Sequence, residues 1–380
     1  MDVPIDDLLE SVGSFLDREV PFDAVEAWDQ DHRTPYDFLP RLANLGLFGI
    51  PFPAHYGGYD APWTVVSHVQ EQLAHRWYAL GSILSRVVAF GGMSLTEYGS
   101  EAQRETHLPD LISGKRFFTL ALSEPDAGSD VGAVRTRARR SDRGWVVTGR
   151  KTWISDAQGA SHLVTVVRTD AHSSGTKGLS VLLIPSDAQG VSMSVIPKVG
   201  NNSMPSFDIG FDDVEVPEDA LMGTEGHGMS HLSSTLHYSR ASVASTTVGA
   251  AQRAVDVARQ HSLERIQFGR ALATNQVIRH RLVDMQIKVD LARLTARHLA
   301  HLISTGADSR RWSAIGKTVG TETLQFVTDH GMQILASAGY TVESPMQRIW
   351  RDARLFSFGE GSNEIQRELI ARHMGIGAPL

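Results

Sequence analysis

Five segments of this 380-residue chain carry polar residues where neither a core nor an ordinary turn requires them. In Leu120-Ala121-Leu122-Ser123-Glu124-Pro125-Asp126-Ala127-Gly128-Ser129-Asp130 an apolar run enters a loop. Ser123 and Ser129 offer hydroxyls, Pro125 fixes the backbone, and Gly128 lets main-chain N–H groups come close to a ligand. Binding of an anion or a heterocycle fits that set, and so does an Asx-type turn joining two strands. In Gly149-Arg150-Lys151-Thr152-Trp153-Ile154-Ser155-Asp156-Ala157 the indole and the Ser155 hydroxyl stand two apart, so a strand points both to one face. Trp153 could wall a planar ring while Ser155 bonds to it; core packing of the indole is the rival reading.

In Arg265-Ile266-Gln267-Phe268-Gly269-Arg270, followed by Gln276, a long helix reads as ending at Gly269. The bidentate, permanently charged fork of Arg265 suits a pyrophosphate, and a solvated helix end is the alternative. Gln333-Ile334-Leu335-Ala336-Ser337-Ala338-Gly339-Tyr340 places small residues after a buried-looking helix, which leaves backbone open to a ligand. In Phe356-Ser357-Phe358-Gly359-Glu360-Gly361-Ser362-Asn363-Glu364-Ile365-Gln366 a carboxylate stands between two glycines, just where Ser362 could cap the next helix. A carboxylate buried there could serve as a general base. The plain alternative is an exposed Glu360 ahead of a capped helix.

Other patterns fail as motifs. Gly144 to Gly149 with Arg150-Lys151-Thr152 has an extra Arg before the Lys of a phosphate-binding loop and reads as a strand. Neither GxGxxG nor Gly-x-Ser-x-Gly occurs. His227 and His231 share i,i+4 spacing, but no HExxH pattern or neighbouring carboxylate completes a metal site, so they read as helix-surface histidines and no metal is expected.

The elements that must hold the five segments fall into three stretches. From Asp2 to about Lys115 the apolar spacing is helical: Ile5, Leu8, Leu9, Val12, Phe15 and Leu16, then Tyr36 to Leu47, Trp63 to Tyr78 and Ile83 to Tyr98. From Phe117 to about Met222 the period is two, with strands expected at Phe117–Leu122, Gly144–Thr148, Leu163–Val167, Leu179–Pro185, Val191–Pro197 and Phe207–Val216. Long helices return at Ser233–Arg265, Asn275–Ser304, Trp312–Ala338 and Gly361–Met374. The order implies an α+β protein with domains at 1–116, 117–228 and 229–380 and a ligand between layers.

Composition narrows the function classes. The chain is 42% hydrophobic, enough for a large core. A net charge of −7 argues against a general nucleic-acid binder. No run approaches about 18 apolar residues, and Arg86 interrupts the most suggestive stretch, Ala79 to Leu95, so no membrane span is expected. The start Met1-Asp2-Val3-Pro4-Ile5-Asp6-Asp7 lacks the features of a signal peptide, and the absence of cysteine excludes disulfides and thiolate chemistry. A cytoplasmic location is the expectation. Six lysines, Lys115, Lys151, Lys177, Lys198, Lys288 and Lys317, stand against 30 arginines, which reads as the codon bias of a GC-rich bacterial genome.

In this order along nearly the whole chain, the five segments resemble the acyl-CoA dehydrogenase family. The resemblance is also carried by Leu45-Gly46-Leu47-Phe48-Gly49-Ile50-Pro51, Tyr56-Gly57-Gly58, Tyr98-Gly99-Ser100 and Arg351-Asp352-Ala353. It implies an N-terminal helical domain, a middle β-barrel and a C-terminal four-helix bundle, with FAD between the last two. Leu122, Ser123, Gly128, Ser129, Trp153 and Ser155 match positions that line the isoalloxazine and ribityl chain. Arg265, Gln267, Phe268 and Gln276, joined by Gln333 to Ser337, match positions that meet the diphosphate and adenine side from a neighbouring subunit, which implies a homodimer or homotetramer. Ser362 to Glu364 match a further FAD contact. Glu360 matches the catalytic base; some relatives carry it at the position matching Ser239, where a serine cannot serve. Arg240 matches a substrate contact, Gly359 and Gly361 would let the Glu360 backbone approach, and Ser129 is a further expected substrate contact.

The implied activity is α,β-dehydrogenation of an acyl thioester, carried by CoA or by a carrier protein: Glu360 removes the α-proton, the β-hydride passes to flavin N5, and a trans-2-enoyl thioester results. An electron-transfer flavoprotein or oxygen would then take the electrons. A flavin oxidase or monooxygenase on the same fold is the alternative, and a non-catalytic flavoprotein the third reading. Two departures from the family pattern stand out: Gly359 where many chain-specific members have Tyr, and Ala336-Ser337-Ala338 in place of a Gly-rich stretch.

Overall fold

The computed structural model describes residues 5–377. The expected helical start at Asp2 to Pro4 lies outside them. Helix α1 (Ile5–Glu19) buries Val12, Phe15 and Leu16, the stripe its spacing requires. Pro21 separates it from α2 (Phe22–Gln30), and α3 (Leu39–Asn44) follows a short 3₁₀ turn. Helix α4 (Trp63–Arg76) stops where Trp77 becomes extended at φ −153°, so Tyr78 begins α5 (Tyr78–Ser85) instead of ending its predecessor. The single helix expected from Ile83 to Tyr98 is a composite: α5, a π-helical stretch at Arg86–Met93, then α6 (Ser94–Tyr98). Helix α7 (Glu101–Ile112), absent from the periodic reading, is started by a reciprocal capping box between Ser100 and Gln103.

By length and composition the Tyr78–Tyr98 run is apolar enough to cross a membrane, contrary to the expectation that no run is. Its most apolar window is 89% buried inside the protein, and Arg86 pairs with the buried Asp156 at 3.1 Å. It is a core helix here.

Eight strands form one mixed sheet: β1 (Phe118–Ala121), β2 (Arg137–Ser141), β3 (Gly144–Ser155), β4 (His162–Arg168), β5 (Leu179–Pro185), β6 (Val191–Ile196), β7 (Ser206–Val216) and β8 (Leu221–Met222). Their order is β6-β7-β3-β2-β4-β5-β8, with β1 parallel to β4. Strand β5 shows why both faces must be apolar. Leu182 and Ile184 join the sheet's own core with Trp145, Val147 and Phe207, whereas Leu179, Val181 and Leu183 turn the other way into the helical core.

The remaining chain is helical: α8 (Gly228–Glu264), α9 (Gln276–Ser304), α10 (Arg310–Leu335), α11 (Pro345–Phe356) and α12 (Asn363–His373). Helix α8 packs against α4, α9 and α10. Residues 241–251 of α8 are all buried. Close approach demands small residues: a Cβ on Gly249 would lie 2.1 Å from the Glu71 carbonyl oxygen of α4. Helix α8 also ends at Glu264, five residues before Gly269; a hairpin of β9 (Ile266–Gln267) and β10 (Arg270–Ala271) follows instead. Its turn residues Phe268 and Gly269 both have positive φ, the pattern of a two-residue hairpin turn. His231 is not a surface histidine: it is buried, its ring stacks on Tyr98 at 4.3 Å, and burial pushes its imidazole down to about 4.

Candidate active site

Glu360 sits on the turn between α11 and α12. Helix α11 closes with the Phe358 and Gly359 N–H groups on the Leu355 carbonyl oxygen (3.2 and 2.9 Å), and the chain reverses through two consecutive left-handed residues, Glu360 (φ +56°) and Gly361 (φ +85°). Ser362 then caps α12, its Oγ accepting from the Ile365 N–H at 3.3 Å, as the sequence implies. The exposed Glu364 lies in the first turn of α12.

The Glu360 side chain is half-buried. The Ser239 hydroxyl of α8 donates to its Oε2, which brings the two positions named above for the base together in space. Arg240, the next residue, points its Nε at the Glu360 carbonyl oxygen from 3.5 Å. Burial lowers the Arg240 guanidinium to about 10, opposed by the charge of Glu360. Beneath the turn lies Lys317 of α10, wholly buried, donating to the Asn363 Oδ1 (2.8 Å) and the Ser357 carbonyl oxygen (3.4 Å). Burial brings this ammonium down to about 8, with Glu360 the principal charge opposing the shift. Lys317 was not singled out from sequence; the available signal was a lone cation within the small-residue stretch Ala314-Ile315-Gly316-Lys317-Thr318-Val319-Gly320.

A second set forms an open cleft on the sheet. After β1 the chain turns tightly at Glu124 to Ala127, whose backbones exchange hydrogen bonds of 2.9 and 3.1 Å, and the Thr152 N–H ties β3 to the Ser123 carbonyl oxygen at 2.8 Å. Buried Glu124 accepts from the Arg135 and Thr136 N–H groups (2.7 and 2.9 Å) and from Lys151 Nζ (2.8 Å), which also donates to the Leu122 carbonyl oxygen (2.9 Å). Burial pushes the Glu124 carboxyl up, but the Lys151 charge and these hydrogen bonds outweigh it and hold the group below the usual carboxylate range. Nothing in the sequence pattern marks Glu124 and Lys151 as partners, since 27 positions separate them.

Ser123, Pro125, Gly128, Thr152 and Trp153 line this cleft. Core packing of Trp153 is excluded, since the indole is 56% exposed. Strand regularity breaks there, with Trp153 at φ +60° in a β-bulge against β7. Ile154 is buried and Ser155 half-buried, and Ser155 is not among the residues that line the cleft. Leu122 is half-buried, and Ser129 lies exposed beyond Gly128.

The remaining candidates lie elsewhere on the surface. Arg265 follows α8, Gln267 and Phe268 belong to the hairpin, Gln276 opens α9, and Gln333 and Ser337 flank the end of α10; all six are exposed. Within this chain they gather around neither Glu360 nor Trp153.

Comparison with known proteins shows the family to which this fold belongs. The family models for the N-terminal, middle and C-terminal domains of acyl-CoA dehydrogenase match residues 5–115, 119–214 and 226–375. The chain is 32% identical over 366 residues to the probable acyl-CoA dehydrogenase YngJ of Bacillus subtilis, covering 96% of each protein. It is likewise 32% identical over 374 residues to a glutaryl-CoA dehydrogenase of Desulfococcus multivorans, covering 96% of this chain and 94% of that one. The solved glutaryl-coenzyme A dehydrogenase in complex with glutaryl-CoA superposes with a TM-score of 0.93 at 30% identity, over 99% of this chain and 96% of that chain. Matched along all three of its parts, the chain belongs to the acyl-CoA dehydrogenase family and is an FAD-dependent oxidoreductase that acts on CH–CH groups of acyl thioesters.

Proposed function

We propose that this protein introduces the α,β double bond into an acyl thioester with Glu360 as general base. One observation carries the reading: the Glu360 carboxylate is held by a serine hydroxyl and forms no ion pair among the described residues, so it is oriented yet free to take a proton. The Glu360 main-chain N–H has no partner among the described residues either, and can donate to the thioester oxygen as enolate charge develops. The cleft at Trp153 fits the flat ring of FAD: the indole is exposed, and a Cβ on Gly128 would meet nothing within 4 Å. Leu122, Ser123, Gly128, Ser129, Trp153, Ser155, Ser362 and Glu364 would hold it. FAD, when bound, supplies the acceptor for the hydride that leaves the β-carbon.

Arg240, Gly359, Gly361 and Ser129 contact the substrate in this reading, while Arg265, Gln267, Phe268, Gln276, Gln333 and Ser337 serve the FAD of a neighbouring copy in a homodimer or homotetramer. The domains divide at 1–116, 117–228 and 229–380. An electron-transfer flavoprotein or oxygen reoxidises the enzyme, and the thioester is borne by CoA or by a carrier protein.

The test is anaerobic bleaching of the bound flavin by a panel of acyl-CoA and acyl-carrier thioesters, with wild type and Glu360→Gln side by side. The amide keeps the shape of the side chain and removes the base, so bleaching is expected to slow at least ~10²-fold while FAD stays bound. Complete bleaching of the variant at the wild-type rate would remove Glu360 from the mechanism.

A further inference from the structure

Helix α8 is rich in hydroxyls, and several have a local use. Ser245, Thr246 and Thr247 bond to carbonyl oxygens one turn back in their own helix, at 3.2, 2.9 and 2.6 Å. Ser234 and Thr235 instead bond to Glu97 and Ser94 of α6, and Ser239 also bonds outside its helix, but to Glu360. Fully buried, it makes no hydrogen bond to its own helix and gives its proton to Oε2 of Glu360, a residue of the α11–α12 turn. No hydrogen bond reaches Oε1 among the described residues.

We propose that Ser239 is a positioning residue for proton removal: by fixing Oε2 it leaves Oε1 as the oxygen that meets the substrate α-proton. The inference rests on Glu360 being the base. The need for such a hold follows from where Glu360 stands. It lies outside any helix, on a left-handed pair of residues, and its backbone is tied through the carbonyl oxygen, by Arg240 Nε and Gln366 Nε2, both at 3.5 Å. Those contacts fix the main chain and leave the side-chain torsions free; a glutamate that must be ordered from several rotamers loses the geometry that proton transfer needs. Ser239 supplies the missing side-chain restraint from a helix clamped by α4, α9 and α10.

The experiment uses the FAD-loaded full-length protein with Ser239→Ala and Ser239→Thr. Butyryl-CoA, isobutyryl-CoA and glutaryl-CoA, each with its α-deuterated counterpart, are the probes for single-turnover bleaching. In Ser239→Ala the bleaching rate at saturation is expected to fall about tenfold and the α-deuterium isotope effect to rise, with half-saturation and FAD content unchanged. Ser239→Thr, which keeps the hydroxyl, restores most of the rate. Wild-type rate and isotope effect in Ser239→Ala overturn the inference, as does a slowing that appears only as weaker half-saturation or lost FAD. Glu360→Gln separates the two readings. If it is inert while Ser239→Ala matches wild type, only the role of Ser239 falls; if it bleaches normally, or if no probe bleaches the wild type, both fall.

Discussion

The two glycines flanking Glu360 are not equivalent. Gly361 has φ +85°, and a Cβ on it would press to 2.8 Å from Gln366 Nε2, so the turn itself requires glycine there. Gly359 has no such backbone demand: its Cβ would meet the Leu355 carbonyl oxygen at 3.3 Å, tight but close to ordinary contact, and little else. A side chain at 359 therefore costs space rather than conformation. Gly359→Tyr is expected to depress bleaching by branched, cyclic or hydroxylated thioesters more than by butyryl or hexanoyl thioesters. Equal loss on both groups, read from kcat/KM across the panel, would mean that Gly359 serves the Glu360 backbone. The Ser362 cap was legible because a helix cap is a local pattern. Lys317 was not, because its partner Asn363 stands 46 residues away in sequence and no periodicity connects the two.

At the level of elements, the Glu124–Lys151 pair binds the turn after β1 to β3 and so sets the floor of the Trp153 cleft. Removing one member of a buried pair leaves an uncompensated charge and typically costs about 3–5 kcal/mol. Lys151→Met is expected to lower the thermal midpoint and the flavin retained per chain, and adding Glu124→Gln should recover part of both. A single variant as stable and as yellow as wild type would show that the cleft does not depend on this pair. The β-branched strands were readable, and β5 falls where its apolar run places it. Strand β2 was missed because Arg137-Ala138-Arg139-Arg140-Ser141 has one buried residue and four exposed ones, so no apolar alternation marks it. Helix α11 hides its character in arginines: buried Arg348 pairs with Glu26, and Arg351 with Asp29, partners 322 positions away. The π-helical stretch at Arg86–Met93 keeps helical spacing in sequence, so nothing there announces the wider turn.

For the molecule as a whole, the six exposed candidates along α8 to α10 remain unexplained by a single chain, and the fully exposed Phe268 at a hairpin tip is the plainest of them. If they complete the FAD site of a neighbour, Arg265→Ala should emerge paler and smaller, since a bidentate cation on a diphosphate is lost across a subunit boundary. Stoichiometric flavin through dilution, together with an unchanged size by light scattering, would leave Arg265 as a helix-end charge. The whole chain also bears on a hazard of thioester chemistry, the spontaneous acylation of amines. A lysine brought toward neutrality becomes a better nucleophile. Lys151 and Lys317, both lowered to about 8, are the amines nearest the two halves of the proposed site, and both are sealed from solvent. Of the other lysines, Lys198 is half-buried, which leaves Lys115, Lys177 and Lys288 openly exposed. An enzyme of acyl thioesters thus keeps both of these amines sealed inside the folded chain, and unfolding, which would expose them, would also restore their ordinary basicity.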